Sequence, residues 1–179
     1  GRGINYMAVK INKNVHDPYD FKLVRANHFT HIRLGSRLWQ YYGPGPEYII
    51  DPIKLQEYKN AVDWALDAGL MVVVDPIHYW RDYTDSDLPI LKKLWEQLAG
   101  TFADYPVDMV AFEIMNEPES YDIDLKKIIH ESLAVIRSFP GNKERQVIVA
   151  AQAFSTRQAL IHAFKNNLVF PIDDPNLIV

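Results

Sequence analysis

The chain has 179 residues, 48% of them apolar and 23% charged, and a net charge of −4. That length suits one domain. The composition excludes a disordered or low-complexity chain, and the weak acidity excludes the broad basic field that nucleic acid binding requires. The absence of cysteine excludes disulfides, thiol nucleophiles and cysteine metal sites. No apolar run approaches the roughly 18 residues of a membrane span. No signal peptide opens the chain, and its first residues read as a strand, as in a processed or trimmed start. Trp 4 and Tyr 10 supply flat apolar faces with polar rims, useful in a core or on a sugar-binding floor.

In chain order, the first predicted strand is Ile4 to Val9. A helix from Pro18 to Asn27 follows, with Asp17 as N-cap and Pro18 in the first turn. Phe29 to Leu34 is the second strand. A connection rich in Gly, Pro and aromatics leads to a second cap-then-proline pair, Asp51-Pro52, opening a helix to Ala68. Leu55, Tyr58, Val62, Ala65 and Leu66 give that helix an apolar face, and Gly69 sits where a C-cap belongs. Leu70 to Val74 is a continuous apolar run, the habit of a strand buried on both faces. Then come a loop from Arg81, a helix from Asp87 to Ala103, a strand from Met109 to Met115 and a helix from Asp122 to Phe139, broken by Pro140-Gly141-Asn142. A strand from Gln146 to Ala151, a helix from Thr156 to Lys165 and a strand opening at Pro175 complete the pattern.

Strands alternating with helices imply parallel pairing through right-handed crossovers. Two α/β architectures fit, an open doubly wound sheet and a (β/α)8 TIM barrel. No Gly-rich phosphate turn follows a strand, which weakens a dinucleotide-binding reading. A complete barrel typically needs about 250 residues. As a barrel, the single domain 1–179 is therefore incomplete, with about six strands present and roughly the last two strand–helix units absent.

The sharpest chemical feature is FEIMNEP, Phe112 to Pro118. It is a buried strand ending in Asn116-Glu117-Pro118, and ligands of parallel α/β folds bind beyond the carboxyl ends of the strands. Glu117 stands at that rim and Asn116 beside it can donate and accept. Glu113 lies about 13 Å before Glu117 along an extended strand, too far for a pair of cooperating carboxyls. It reads as a buried acid paired with an arginine, with Arg33 as the candidate partner. Asp75 ends the third strand, and neither it, Glu119, Glu131 nor Glu144 is assigned a catalytic role. His16, His28, His31, His130 and His162 show no metal-like spacing.

The segments GIN (Gly3 to Asn5), HIRL (His31 to Leu34), the Asn-Glu-Pro triplet and IDDPNLIV (Ile172 to Val179), in this order and spacing, resemble glycoside hydrolase family 5, the cellulase-like (β/α)8 hydrolases. The resemblance spans the whole chain and the first two-thirds of the family's barrel. It implies a retaining β-glycosidase, whose two carboxyls lie about 5–5.5 Å apart. Glu117 matches the general acid/base. The nucleophile, a glutamate after the seventh strand, is expected beyond Val179. Arg33 matches the arginine that holds that nucleophile ionised, and Asn116 the asparagine that bonds the sugar 2-hydroxyl. After the third strand the sequence departs from the family, since Ile77 occupies the place of the more important histidine and His78 follows it. Trp39, Tyr41, Tyr42, Tyr79 and Trp80, in loops after the second and third strands, are candidates for stacking on sugar rings.

The resulting expectation is an endo-acting enzyme on β-1,4-glucan, without metal or organic cofactor, with mannan or another β-glycan as the alternative substrate. The other class of reading is a barrel piece that binds sugar or self-associates without hydrolysis. Its open sheet edges invite pairing with another copy or with the missing barrel segment. No nucleic acid or membrane partner is expected. The resemblance also implies secretion or a periplasmic location.

Overall fold

A computed structural model describes residues 1–7, 17–119, 123–165 and 173–179. Six parallel strands form one sheet in the order of the sequence. They are β1 (Gly3–Met7), β2 (His31–Gly35), β3 (Met71–Asp75), β4 (Val110–Glu113), β5 (Val147–Ile148) and β6 (Leu177–Ile178). The helices between them are α1 (Pro18–Ala26), α2 (Pro52–Asp67), α3 (Leu88–Thr101), α4 (Leu125–Arg137), α5 (Gln152–Ser155) and α6 (Arg157–Lys165). Strand order decides between the two architectures. A doubly wound sheet reverses direction once, whereas this one never does, which is the winding of a (β/α) barrel.

The helix starts follow from their caps. The Asp17 carboxylate accepts from the Tyr19 amide at 2.9 Å, and the Asp51 carboxylate from those of Ile53 and Lys54 at 2.8 and 3.3 Å. Each satisfies amides that a first helical turn leaves without partners. α2 ends before Gly69, whose φ of 79° is a left-handed turn that costs glycine little.

Alternation along the strands separates two environments. Ile32, Leu34, Val72, Val74, Val110 and Phe112 are buried in one apolar core with Tyr58, Ala61, Val62 and Ala65 of α2 and Leu91, Leu94, Trp95 and Leu98 of α3. The intervening residues Asn5, His31, Arg33, Val73, Glu113 and Ile148 line a cavity of about 490 Å³ on the opposite face. The interior of the arc is thus polar where the outer, helix-covered face is dry.

Boundaries differ from the sequence expectations where hydrogen bonding, not hydropathy, sets the end. β4 stops at Glu113 although the apolar run continues to Met115, and β5 is two residues long. The helix expected from Asp87 starts at Leu88, because Asp85–Asp87 forms a separate 3-10 turn. Ala8 and Val9 of the first expected strand and Asp122 of the fourth expected helix lie outside the described residues.

Candidate active site

Beyond β4 the chain is held from both sides. The Ile114 amide donates to the Ile148 carbonyl at 3.1 Å and the Asn116 amide to the Ile77 carbonyl at 3.2 Å. The buried Trp95 donates its indole N–H to the Ile114 carbonyl at 3.0 Å. Ile114, Met115 and Asn116 are consequently buried, and the chain surfaces at Glu117, which is exposed. Pro118 bars its predecessor from the right-handed helical region, and Glu117 takes a left-handed φ of 38°. Such positions in non-glycine residues concentrate at functional sites. The described residues bring Glu117 together with Asn5, Tyr6, Arg33, Gly35, His78, Tyr79 and Asn116 around a cleft of about 280 Å³.

Arg33 organises this cleft. Its Nε and Nη2 donate to the two oxygens of Glu113 at 2.6 Å each, and Nη2 also reaches Asn116 Oδ1 at 2.7 Å and Asp75 Oδ2 at 2.8 Å. Burial acts against the charged guanidinium. The bonds to Glu113 and the charges of Asp75 and Glu113 overcome it and hold the pKa above its ordinary value. Burial raises the Glu113 carboxyl despite the opposing guanidinium. Glu113 is therefore a partner of Arg33, as expected from sequence. The other carboxylates near the rim are also committed, with Asp75 on Arg33 and His78 and Glu119 on Arg81 at 3.1 Å.

His78 lines the cleft and Ile77 is fully buried. The residue after Ile77, not the residue at the family's usual place, thus presents its ring to the site. The aromatic residues divide. Tyr79 reaches the cleft and is 38% exposed, and the guanidinium carbons of Arg37 and Arg81 lie over its ring at 5.3 and 5.4 Å from the centroid. Trp39 and Trp80 do not line the cleft. They stack on each other at 5.1 Å and 3°, Trp80 is only 7% exposed, and Trp39 donates its indole N–H to the His78 carbonyl at 2.8 Å. Their large apolar faces are worth more buried against each other than open to water, and they brace the loop that carries His78. Tyr42 packs edge-on against Tyr48, and Tyr41 lies beneath Lys54. Asn5 and Tyr6 line the cleft without having been proposed as site residues, and Asp75, placed by the sequence at the end of the third strand without a role, supports it through Arg33 and His78. Inward alternation on the first strand was the available signal for Asn5.

A larger groove of about 910 Å³ runs along α3 and α4 past Lys92, Lys127, Glu131 and Phe139. It lies on the helical layer, away from the strand ends and the convergent polar groups. No group of three His, Asp or Glu that could hold a metal ion occurs among the described residues, and no described helix is long and apolar enough to cross a membrane.

The sequence signature of Cellulase (glycosyl hydrolase family 5) matches residues 2–179. The chain belongs to glycosyl hydrolase family 5. Among curated family relatives, the cellulase/esterase CelE of Acetivibrio thermocellus is 28% identical in an alignment of 177 residues that covers 87% of this chain and 21% of that protein. Endoglucanase A of Evansella cellulosilytica is 28% identical over 139 residues, covering 73% and 26%. The solved endoglucanase Cel5A of Thermotoga maritima superposes with a TM-score of 0.86 at 27% identity, covering 100% of this chain and 59% of its own. The same protein has been solved with a mannotriose substrate and with cellobiose. This family 5 chain therefore spans under two-thirds of the solved barrel it matches, and about a quarter or less of these curated relatives.

Proposed function

We propose that this chain is the part of an endo-acting, retaining β-1,4-glucan hydrolase that carries the general acid/base. The observation that carries the reading is the placement of Glu117. It is an exposed carboxyl just beyond β4, in a left-handed turn before proline, beside Asn116 and His78 in one cleft. The endoglucanase relatives support the substrate class, and Thermotoga maritima Cel5A with mannotriose keeps mannan as the second reading.

Glu117 donates a proton to the leaving glycosidic oxygen and then takes one from the attacking water, as a retaining mechanism requires. Asn116 is locked by its Oδ1 contact with Arg33, so its Nδ2, buried and without a partner among the described residues, is the donor we assign to a sugar hydroxyl. By the family resemblance the nucleophile comes from a later strand of the barrel, and the rim carboxylates Asp75, Glu113 and Glu119, each ion-paired with an arginine, are not assigned that role.

The test is reducing-end release from carboxymethylcellulose, soluble β-glucan and mannan. The enzyme is this chain refolded with the part of Thermotoga maritima Cel5A that it does not span, compared with its Glu117→Gln variant. The expected result is cleavage of the glucans, with the variant slower by roughly 10²–10⁴-fold. Undiminished cleavage by the variant would remove Glu117 from the mechanism, and cleavage of mannan alone would select the second reading.

A further inference from the structure

We propose that Asp75 is a positioning residue. It fixes the proton of His78 on Nδ1 and thereby makes Nε2 of the neutral ring a hydrogen-bond acceptor for a glycan hydroxyl in the cleft. The ligand rests on the glycanase reading above, whereas the placement of the proton does not.

Asp75 is fully buried at the end of β3. One of its oxygens, Oδ2, meets both Arg33 Nη2 at 2.8 Å and His78 Nδ1 at 2.6 Å. A guanidinium only donates, and a carboxylate held by one has lone pairs to offer and no proton. The His78 contact therefore requires Nδ1 to carry the hydrogen, and in the neutral ring Nε2 is left with a lone pair. The ring has little freedom to escape this arrangement. The His78 amide donates to the Ser36 carbonyl at 2.9 Å, its carbonyl accepts from Trp39, and its ring meets Tyr79 edge-on at 4.1 Å.

The outcome complements Asn116. Arg33 takes the Asn116 oxygen and leaves an amide donor, while Asp75 takes the His78 donor and leaves an acceptor. One charged cluster thus sets the polarity of two groups lining the same cleft. Sugar hydroxyls, which both give and accept, suit such a fixed pair.

Nitrogen-15 imidazole spectra test the first half. They are recorded at about pH 8, above the ordinary histidine pKa of about 6.5. Wild type is expected to show the Nδ1-protonated tautomer of His78. Asp75→Asn still offers an oxygen to both donors and is expected to retain it, whereas Asp75→Ala loses it. An Nε2-protonated or mixed tautomer in wild type overturns the proposal, as does an Asp75→Ala ring unchanged from wild type. Should Asp75→Ala fail to fold, the wild-type and Asp75→Asn spectra decide alone.

Cellotriose titration of the chain refolded with the part of Thermotoga maritima Cel5A that it does not span tests the second half. Asp75→Ala is expected to weaken binding roughly 3–10-fold, the worth of about one hydrogen bond, with Asp75→Asn close to wild type. Equal affinity in all three overturns the acceptor role. Absence of cellotriose binding in wild type, with the tautomer as expected, refutes the glycanase reading and leaves the proton's placement standing.

Discussion

Arg145 shows how a single charged side chain can stabilise a fold without an acidic partner among the described residues. It is fully buried, and its guanidinium donates to Asn142 Oδ1 at 2.8 Å and to the carbonyls of Phe102, Tyr105 and Val110 at 2.8–3.0 Å. Phe112 lies beneath it at 4.9 Å. Burial, followed by the neighbouring charge of Arg137, pushes its pKa down to about 10, so it is still a cation at neutral pH. The carbonyls it serves include those left open where α3 ends. Arg145→Met strands them away from water, at a cost of about 3 kcal/mol or more. Arg145→Lys keeps the charge but loses the planar fork and costs about 2 kcal/mol. Urea unfolding measures both, and a lysine variant as stable as wild type would refute the account. Arg33 contrasts with Arg145, since its partners are carboxylates and an amide facing the cleft, and its arrangement serves the site.

At the scale of elements, the helix starts and the last strand carry separable contributions. Asp51→Ala frees the amides of Ile53 and Lys54 and is expected to cost about 1 kcal/mol in thermal unfolding. β6 is tied to α4 by Arg137, which donates to both oxygens of Asp174 at 2.9 and 3.1 Å. Burial opposes ionisation of Asp174, but the bonds from Arg137 and the Asn176 amide win and hold its pKa below the usual carboxylate value. A lowered carboxylate pKa contributes stability above the unfolded pKa of about 3.9, and that stability fades as pH falls through the lower folded value. Asp174→Asn is therefore expected to cost about 1 kcal/mol at neutral pH, a difference that closes towards acid; a pH-independent difference would contradict the linkage. Caps of this kind were legible in the sequence, because Asp-Pro before a helical run states its own geometry, as at Asp17 and Asp51. The Asn-Glu-Pro rim was legible for the same reason. The support of His78 was not. Its contact with Asp75 depends on how the chain turns at Pro76, and aromatic residues in loops give no sign of whether they face sugar or each other, as Trp39 and Trp80 do.

At the scale of the whole molecule, the sheet of the described residues is bounded by β1 on one side and β6 on the other. α1 carries exposed Tyr19 and Leu23, and α6 carries exposed Ile161. Unpaired strand edges flanked by apolar side chains favour association. We propose pairing of these edges, with a second copy or with a complementing barrel segment. Light scattering is expected to show a concentration-dependent mass above 20.7 kDa that the complementing segment suppresses. A monomer at all concentrations would count against edge pairing.

The cleft beyond the ends of β2, β3 and β4 is the proposed glycan site. Titrating the nitrogen-15-labelled chain with cellotetraose tests this directly. Resonance shifts are predicted at Arg33, His78, Asn116 and Glu117, with affinity lowered roughly 3–10-fold by Asn116→Ala. Shifts confined to the groove along α3 and α4, or none at all, would contradict it.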